Sequence, residues 1–582
     1  MDEAELVSCA AAGIVCDLTD RDPDDRHVDA ALVVDLCLGR HGEVHPKGLR
    51  LVGAVLDGPL DLAFATVTVP IRLDDCQIAG GVDIAEAALP VFLLHRCRID
   101  GAVRAPGVRV RYLRLVGTQV AGPVLLRGAV VDRTVVMDGS VLSGSDDAGY
   151  ALDLNGAWVG GVLSLQDGFA CAGAMRSVGA SIGRDLEMWD ATIGGVDNAG
   201  VSFRGVQMQV GGSILSGSGF VTAGAVRLSR ARIQGDLALL SARIDGADED
   251  DTALHALGIH VGGSVRLNDL AAAGAVRLSD GVIDGSLTVR GARIGGPVDR
   301  YGNSFAADGL QVGRSVHLSG GFAAEGEVRF VGASIGGQLS FEEAAPFRVL
   351  ALRGARCAEL ADTAASWPQA GGLELRGFRF DALKLDAGWA RRLEWVRRQG
   401  FTTWSPEPYE QLAAYYRATG DEDGARRIRV EQGNDELTHL RTTRRWRSLG
   451  YRAWRRPLGW LVGYGFRRQR AAWMLAATLV LAGVLFHRAE RDGAMVPHPP
   501  PAAGSTSSLP PCGEAYPCFN SWVYGADVVL PIVDFGQDSA WRPIETDGTG
   551  PVWLWARWAF IAIGWVLASV FVAAFTGLVQ RG

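Results

Sequence analysis

The stretch Leu51-Val-Gly-Ala-Val-Leu-Asp-Gly-Pro-Leu-Asp-Leu62 decides the fold because the chain keeps returning to it. It recurs as Val178-Gly-Ala-Ser-Ile-Gly-Arg-Asp-Leu186, as Arg290-Gly-Ala-Arg-Ile-Gly-Gly-Pro-Val298 and as Val331-Gly-Ala-Ser-Ile-Gly-Gly-Gln-Leu339. A fixed period outranks other fold signals. Gly58, Gly80, Gly101 and Gly122 fall roughly 21 residues apart; Gly160, Gly183, Gly211, Gly235, Gly262 and Gly285 follow at roughly 23 to 28. Within each period apolar residues alternate with polar ones, as at Leu60 and Leu62, Ile71 and Leu73, Val82 and Ile84. Period two means strands. The expected fold is therefore mainly β: a β-helix (solenoid) of about 13 to 15 coils, which at roughly 4.8 Å per coil is a rod of about 65 Å. A helical hairpin and two C-terminal transmembrane helices are expected to follow. Cys76 and Cys97 then occupy stacked positions.

The segments divide as follows. Residues 1–46 do not repeat and read as an N-terminal cap, with an amphipathic helix over Arg26 to Leu38; 47–365 is the solenoid. Residues 366–440 form a helical connector, in which Leu412, Tyr415 and Tyr416 face Ala425 and Ile428 as in one tetratricopeptide-like unit. A basic juxtamembrane segment covers 441–470. Transmembrane helices are expected over 471–488 and 553–579, separated by an extracytoplasmic loop over 489–552.

The net charge of −8 is modest for 582 residues, but its distribution is uneven. Arg441, Arg444, Arg445, Arg447, Arg452, Arg455, Arg456, Arg467, Arg468 and Arg470 are unaccompanied by any acid. Basic residues beside a span mark its cytoplasmic side. The solenoid and the C-terminus are thus expected in the cytoplasm of a two-span plasma-membrane protein. The same arginines, interleaved with Trp446, Tyr451, Trp454 and Trp460, suit anionic lipid headgroups; adjacency to a span favours lipid over nucleic acid. The start, Met1-Asp-Glu-Ala-Glu5, is acidic where a secretory leader is basic, so no signal peptide is expected.

In the outer loop, Cys512 and Cys518 are placed to form a disulfide. Phe519 to Val533 is too short and too polar to span, and suits an interfacial or re-entrant helix broken at Pro531. Asn520, Tyr524, Asp527 and Asp534 lie in or beside it. That span–loop–span order keeps a pore-loop channel reading open, with a homo-oligomer around the pore and Asp527 or Asp534 as candidate cation ligands. Val462-Gly-Tyr-Gly465 resembles part of a potassium filter but precedes the first span. His41 and His45 have metal-like spacing without a third ligand, and His255 and His260 are expected on an insertion of the solenoid. No nucleotide loop, C-x-x-C or H-E-x-x-H motif is present. The residues thus name no catalytic group, no cofactor site and no metal site. They favour a binding or scaffolding role with a protein partner on the solenoid.

The Gly-Ala-x-Ile-x-Gly-x-Leu coils, Pro408-Tyr-Glu-Gln-Leu412, Val462-Gly-Tyr-Gly-Phe466 and Leu530-Pro-Ile-Val-Asp-Phe-Gly-Gln537 together resemble an actinobacterial family of membrane-anchored, pentapeptide-like β-helix proteins, often labelled "membrane-associated oxidoreductase". The resemblance covers nearly the whole chain and implies the same architecture. Its label implies redox chemistry, for which the sequence supplies no flavin, haem, nucleotide or metal motif.

Overall fold

The computed structural model describes residues 3–296, 298–384, 388–400, 403–443, 468–498, 517–530, 532–544 and 550–575. They fall into two compact units, 1–420 and 421–582.

The first unit is a solenoid-like stack of short parallel strands in three sheets of 23, 13 and 14 strands. One turn of the chain visits all three in order. Gln77–Ile78 lies in the 13-strand sheet, Val82–Asp83 in the 14-strand sheet and Ala88–His95 in the 23-strand sheet, and Arg98–Ile99 then pairs in parallel with Gln77–Ile78. Alternation puts one set of side chains inside. Leu62, Ile84 and Leu186 are all buried. Leu186 is fully enclosed and stacks between Leu163 and Ile214 of the neighbouring turns. Toward the C-terminal end the interior becomes aromatic, with Phe305, Phe322, Phe330, Phe341 and Phe347 at ring separations of 5.3 to 6.4 Å.

Two devices let the turns close on one another. The first is a seam of glycines. A Cβ on Gly183 would lie 2.3 Å from the Gly160 carbonyl oxygen, and one on Gly211 2.4 Å from that of Gly183. Backbone approaches backbone too closely there for any side chain. The second is a ladder of side-chain oxygens beside the seam. Asp185 accepts from the Ser213 N–H, Ser213 from Asp236, Asp236 from Ser264, Ser264 from Ser286, Ser286 from Ser315, and Ser315 from Gln338, at 2.7 to 3.4 Å. Each of these N–H groups is answered by the same position of the turn before it. Cys76 and Cys97 belong to a similar corner column. Their thiols donate to the Leu51 and Leu73 carbonyls, as the Thr118 and Ser140 hydroxyls do to Leu94 and Leu115.

Both ends extend past the expected limits. Cys16–Asp17 and His27–Asp29 pair in parallel with Leu49–Val52 and Val55–Asp57, so the N-terminal segment contributes strands as well as a cap. The expected helix from Arg26 narrows to Ala30–Cys37, capped by the Asp29 carboxylate, and a further helix covers Glu3–Ala12. At the other end the sheets continue beyond 365, through Leu373–Glu374 and Arg379–Leu383. The helix Trp389–Val396 follows. Its Arg392 is buried in an ion pair of 2.5 Å with Asp362, which also accepts from the Trp367 indole N–H at 2.8 Å. Helices Glu407–Ala418 and Glu422–Thr443 occupy the expected hairpin region. His255 and His260 are in the strands Thr252–His255 and His260–Val261 rather than in an insertion.

Leu186→Asp places an unpaired carboxylate in this interior at a cost of several kcal/mol. The variant is expected to melt at lower urea than the parent and to expose the neighbouring turns to proteolysis; a parental melting curve would show Leu186 to face outward.

Candidate functional site

Two groups of polar residues stand out, one in each unit. In the solenoid, Asp146, Asp197, Asp248 and Asp299 recur at a period of about 51 residues, which is two turns. Each opens a short loop by accepting the backbone N–H groups two and four residues on. Asp248, for instance, accepts from Asp250 at 3.0 Å and Thr252 at 3.1 Å. The second carboxylate oxygen faces a column of basic groups. Asp146 pairs with Arg127, Asp197 with Arg204, Asp248 with Arg227 and His255, and Asp299 with Arg277. Burial alone would raise the Asp248 carboxyl. Hydrogen bonds from His255, Arg227, Thr252 and Asp250 outweigh it and hold the group well below the usual carboxylate range. The double period was within reach of the sequence: Asp146-Asp-Ala-Gly149, Asp197-Asn-Ala-Gly200 and Asp299-Arg-Tyr-Gly302 share one phrase.

In the second unit, helix Arg468–Arg491 and helix Gly550–Phe575 are long and apolar enough to cross a membrane. The segment expected to re-enter forms the helix Ser521–Val529. Asn520 caps it, its side chain accepting from the Trp522 and Val523 N–H groups. The helix packs on both long helices. Gly525 meets the backbone of Ala482 and Gly483, and Gly564 meets the Val529 carbonyl. Gly564 is fourteen residues into its helix, roughly 21 Å from the start at 1.5 Å per residue. Tyr524 is fully buried, its ring centre 4.8 Å from that of Phe486.

Asp527 gathers the backbone of the return path. The Asp527 carboxylate accepts the N–H groups of Phe535, Gln537 and Asp538 at 2.8 to 2.9 Å. Asp538 in turn takes a bidentate pair from Arg557, both contacts at 2.8 Å. Asp527 is thus committed to backbone, which argues against a role as a cation ligand. Asp534 is exposed, and accepts from the Gly536 N–H. The antiparallel ribbon Met495–Pro497 with Trp541–Pro543 closes the hairpin.

Pro531, Cys512, Arg444, Arg445, Arg447, Arg452, Arg455, Arg456 and Arg467 lie outside the described residues, as does Val462–Gly465, so the expected Cys512–Cys518 disulfide does too. Arg441 falls in the helix Glu422–Thr443, and Arg468 and Arg470 open the helix Arg468–Arg491. Among the described residues no three His, Cys, Asp or Glu side chains converge as metal ligands. His45 is engaged locally, its ring nitrogen accepting from the Lys47 N–H. Burial pushes the thiols of Cys37, Cys171 and Cys357 up to about 12, so none is a thiolate nucleophile at neutral pH. Compared with family models, curated proteins and solved structures, the chain matches none.

Two substitutions check these assignments. Asp248→Ala strands the Arg227 guanidinium and two backbone N–H groups, and is expected to cost about 3–5 kcal/mol in denaturant titration. Because the folded carboxyl is depressed, that stabilisation is full above the unfolded value of about 3.9 and is lost as pH falls below it. The gap between parent and variant should therefore narrow in acid. Asp527→Leu is expected to free the hairpin, seen as protease cleavage between 530 and 540 in detergent; unchanged resistance would deny Asp527 its role.

Proposed function

We propose that the chain is a membrane-anchored scaffold: a closed β-helix of about 13 to 15 coils held at the cytoplasmic face of the plasma membrane by two crossing helices. The solenoid and the C-terminus lie inside and the 489–552 loop outside. The observation that carries this reading is the exposure of the long helices. Only 22% and 17% of their apolar windows are buried, whereas a core helix of a water-soluble domain is mostly enclosed. Trp473, Leu481, Val484, Trp558 and Val566 stand exposed on them, as side chains that meet lipid do. The ten arginines from Arg441 to Arg470 support the orientation.

The scaffolding role draws on the solenoid. Its polar clusters are ion pairs and backbone caps that serve the stack itself. A long, regular, side-by-side array of short strands offers an extended surface for a protein partner. The hairpin between the long helices also supports a second, pore-loop reading, in which several copies surround an axis. That reading requires an oligomer, and ion flux in reconstituted vesicles that Asp534→Asn alters.

Reporter fusions after Arg441 and after Gln580 are expected to report the cytoplasm, and one at Ser507 the outside. A cytoplasmic Ser507 would reverse the orientation, and a chain recovered without membranes would remove the anchor.

A further inference from the structure

One face of the solenoid carries a charge opposite to that of the chain. The strands Leu49–Val52, Ile71–Asp74, Ala88–His95, Arg109–Val116 and Val130–Val136 are consecutive neighbours in the 23-strand sheet. They hold Arg50, Arg72, Arg109, Arg111, Arg114 and Arg133 against two acids, Asp74 and Asp132. Leu51, Leu73, Leu94, Leu115 and Val135 of the same strands are buried, so alternation turns the arginines outward. Register stacks Arg50 on Arg72, with Leu93 and then Arg114 next in the same column. A shift of register between Val110 and Tyr112 brings Arg111 and Tyr112 both toward solvent, the guanidinium 5.7 Å from the ring centre. Asp74 is occupied by Arg72 at 2.6 Å and His95 at 3.2 Å. Arg50, Arg109, Arg111, Arg114 and Arg133 have no ion-pair partner among the described residues. Elsewhere in the solenoid the arginines of the buried column are matched by aspartates. On this face five arginines stand without such a partner, in a protein whose net charge is −8.

We infer that this face is a docking surface for an anionic lipid bilayer. Five strands at about 4.8 Å span roughly 19 Å, and the two longest of them, of eight residues at about 3.3 Å, roughly 25 Å. On the central strand of the five the outward residues Val91 and Leu93 are apolar and half-buried. A flat array of guanidinium groups, which bind phosphate with paired N–H donors, matches a plane of lipid phosphates. The inference concerns the solenoid and goes beyond the anchoring reading, on which it does not rest.

The test uses the full chain in nanodiscs of phosphatidylcholine, mixed with vesicles of phosphatidylcholine with or without phosphatidylglycerol and separated by flotation. Binding is expected only to the anionic vesicles, and is expected to fall with salt. The quadruple variant Arg109→Gln, Arg111→Gln, Arg114→Gln, Arg133→Gln should lose about ten-fold or more of it. A matched variant, Arg230→Gln, Arg232→Gln, Arg293→Gln, Arg356→Gln, should bind as the parent does, and both should melt as the parent does. Equal loss in the two variants, persistence in the first, or no vesicle binding at all would overturn the inference. Arginine-dependent binding of duplex RNA without binding of vesicles would assign the face to nucleic acid instead. Failure of the chain to enter nanodiscs would count against the anchor alone, and the same flotation of detergent-free protein would still decide the face.

Discussion

The solenoid rests on one obligation: every backbone N–H of a turn must find its acceptor on the turn beside it. A strand of two residues cannot stabilise itself, and a corner has no ladder of its own. The consequences are written into residue type. Where two turns touch through backbone alone, as at Gly160, Gly183 and Gly211, no Cβ fits. Where a corner N–H is left over, Asp185, Ser213, Asp236, Ser264, Ser286 or Ser315 supplies an oxygen. The ends of the stack face the same demand, and helices Ala30–Cys37 and Trp389–Val396 stand there in place of a further turn.

The same physics accounts for the carboxylates that look functional in isolation. Asp248 in the solenoid and Asp527 in the helical hairpin each gather backbone N–H groups from irregular chain. At Asp527 the need is sharper. If the two long apolar helices cross a membrane as proposed, non-helical backbone between them is tolerated only where its polar groups are answered. The Arg557–Asp538 pair completes this arrangement on the second long helix. Beyond Val529 the apolar residues Ile532, Val533 and Phe535 stand exposed, Ile532 at 76%.

Much of the stack was legible because periodicity two and the recurring glycines report inward and outward positions directly, so Leu62, Ile84 and Leu186 could be named as core from sequence. The long apolar helices were legible for the same reason, composition alone sufficing. The two-turn period was legible in the even spacing of Asp146, Asp197, Asp248 and Asp299, but a search for one average turn length passes over it, because their loops belong to alternate turns. The Asp362–Arg392 pair was out of reach, since it joins residues on a strand connection and on a capping helix that no local pattern relates. Asp527 was found as a candidate, but the three N–H groups it gathers were out of reach, because sequence shows a carboxylate near a span and not the backbone folded around it.

The register of the stack is the claim on which the account stands, and engineered cross-linking measures it directly. Thr192 pairs with Val221 on the adjacent turn, and Val221 pairs with Arg243 on the next. Neighbouring turns separated by about 4.8 Å lie within disulfide reach, whereas positions two turns apart, at about 9.6 Å, do not. Under mild oxidation the pair Thr192→Cys with Val221→Cys should cross-link in the native protein, and Thr192→Cys with Arg243→Cys should not. Cross-linking of the second pair without the first would contradict the stacked register and the fold built on it.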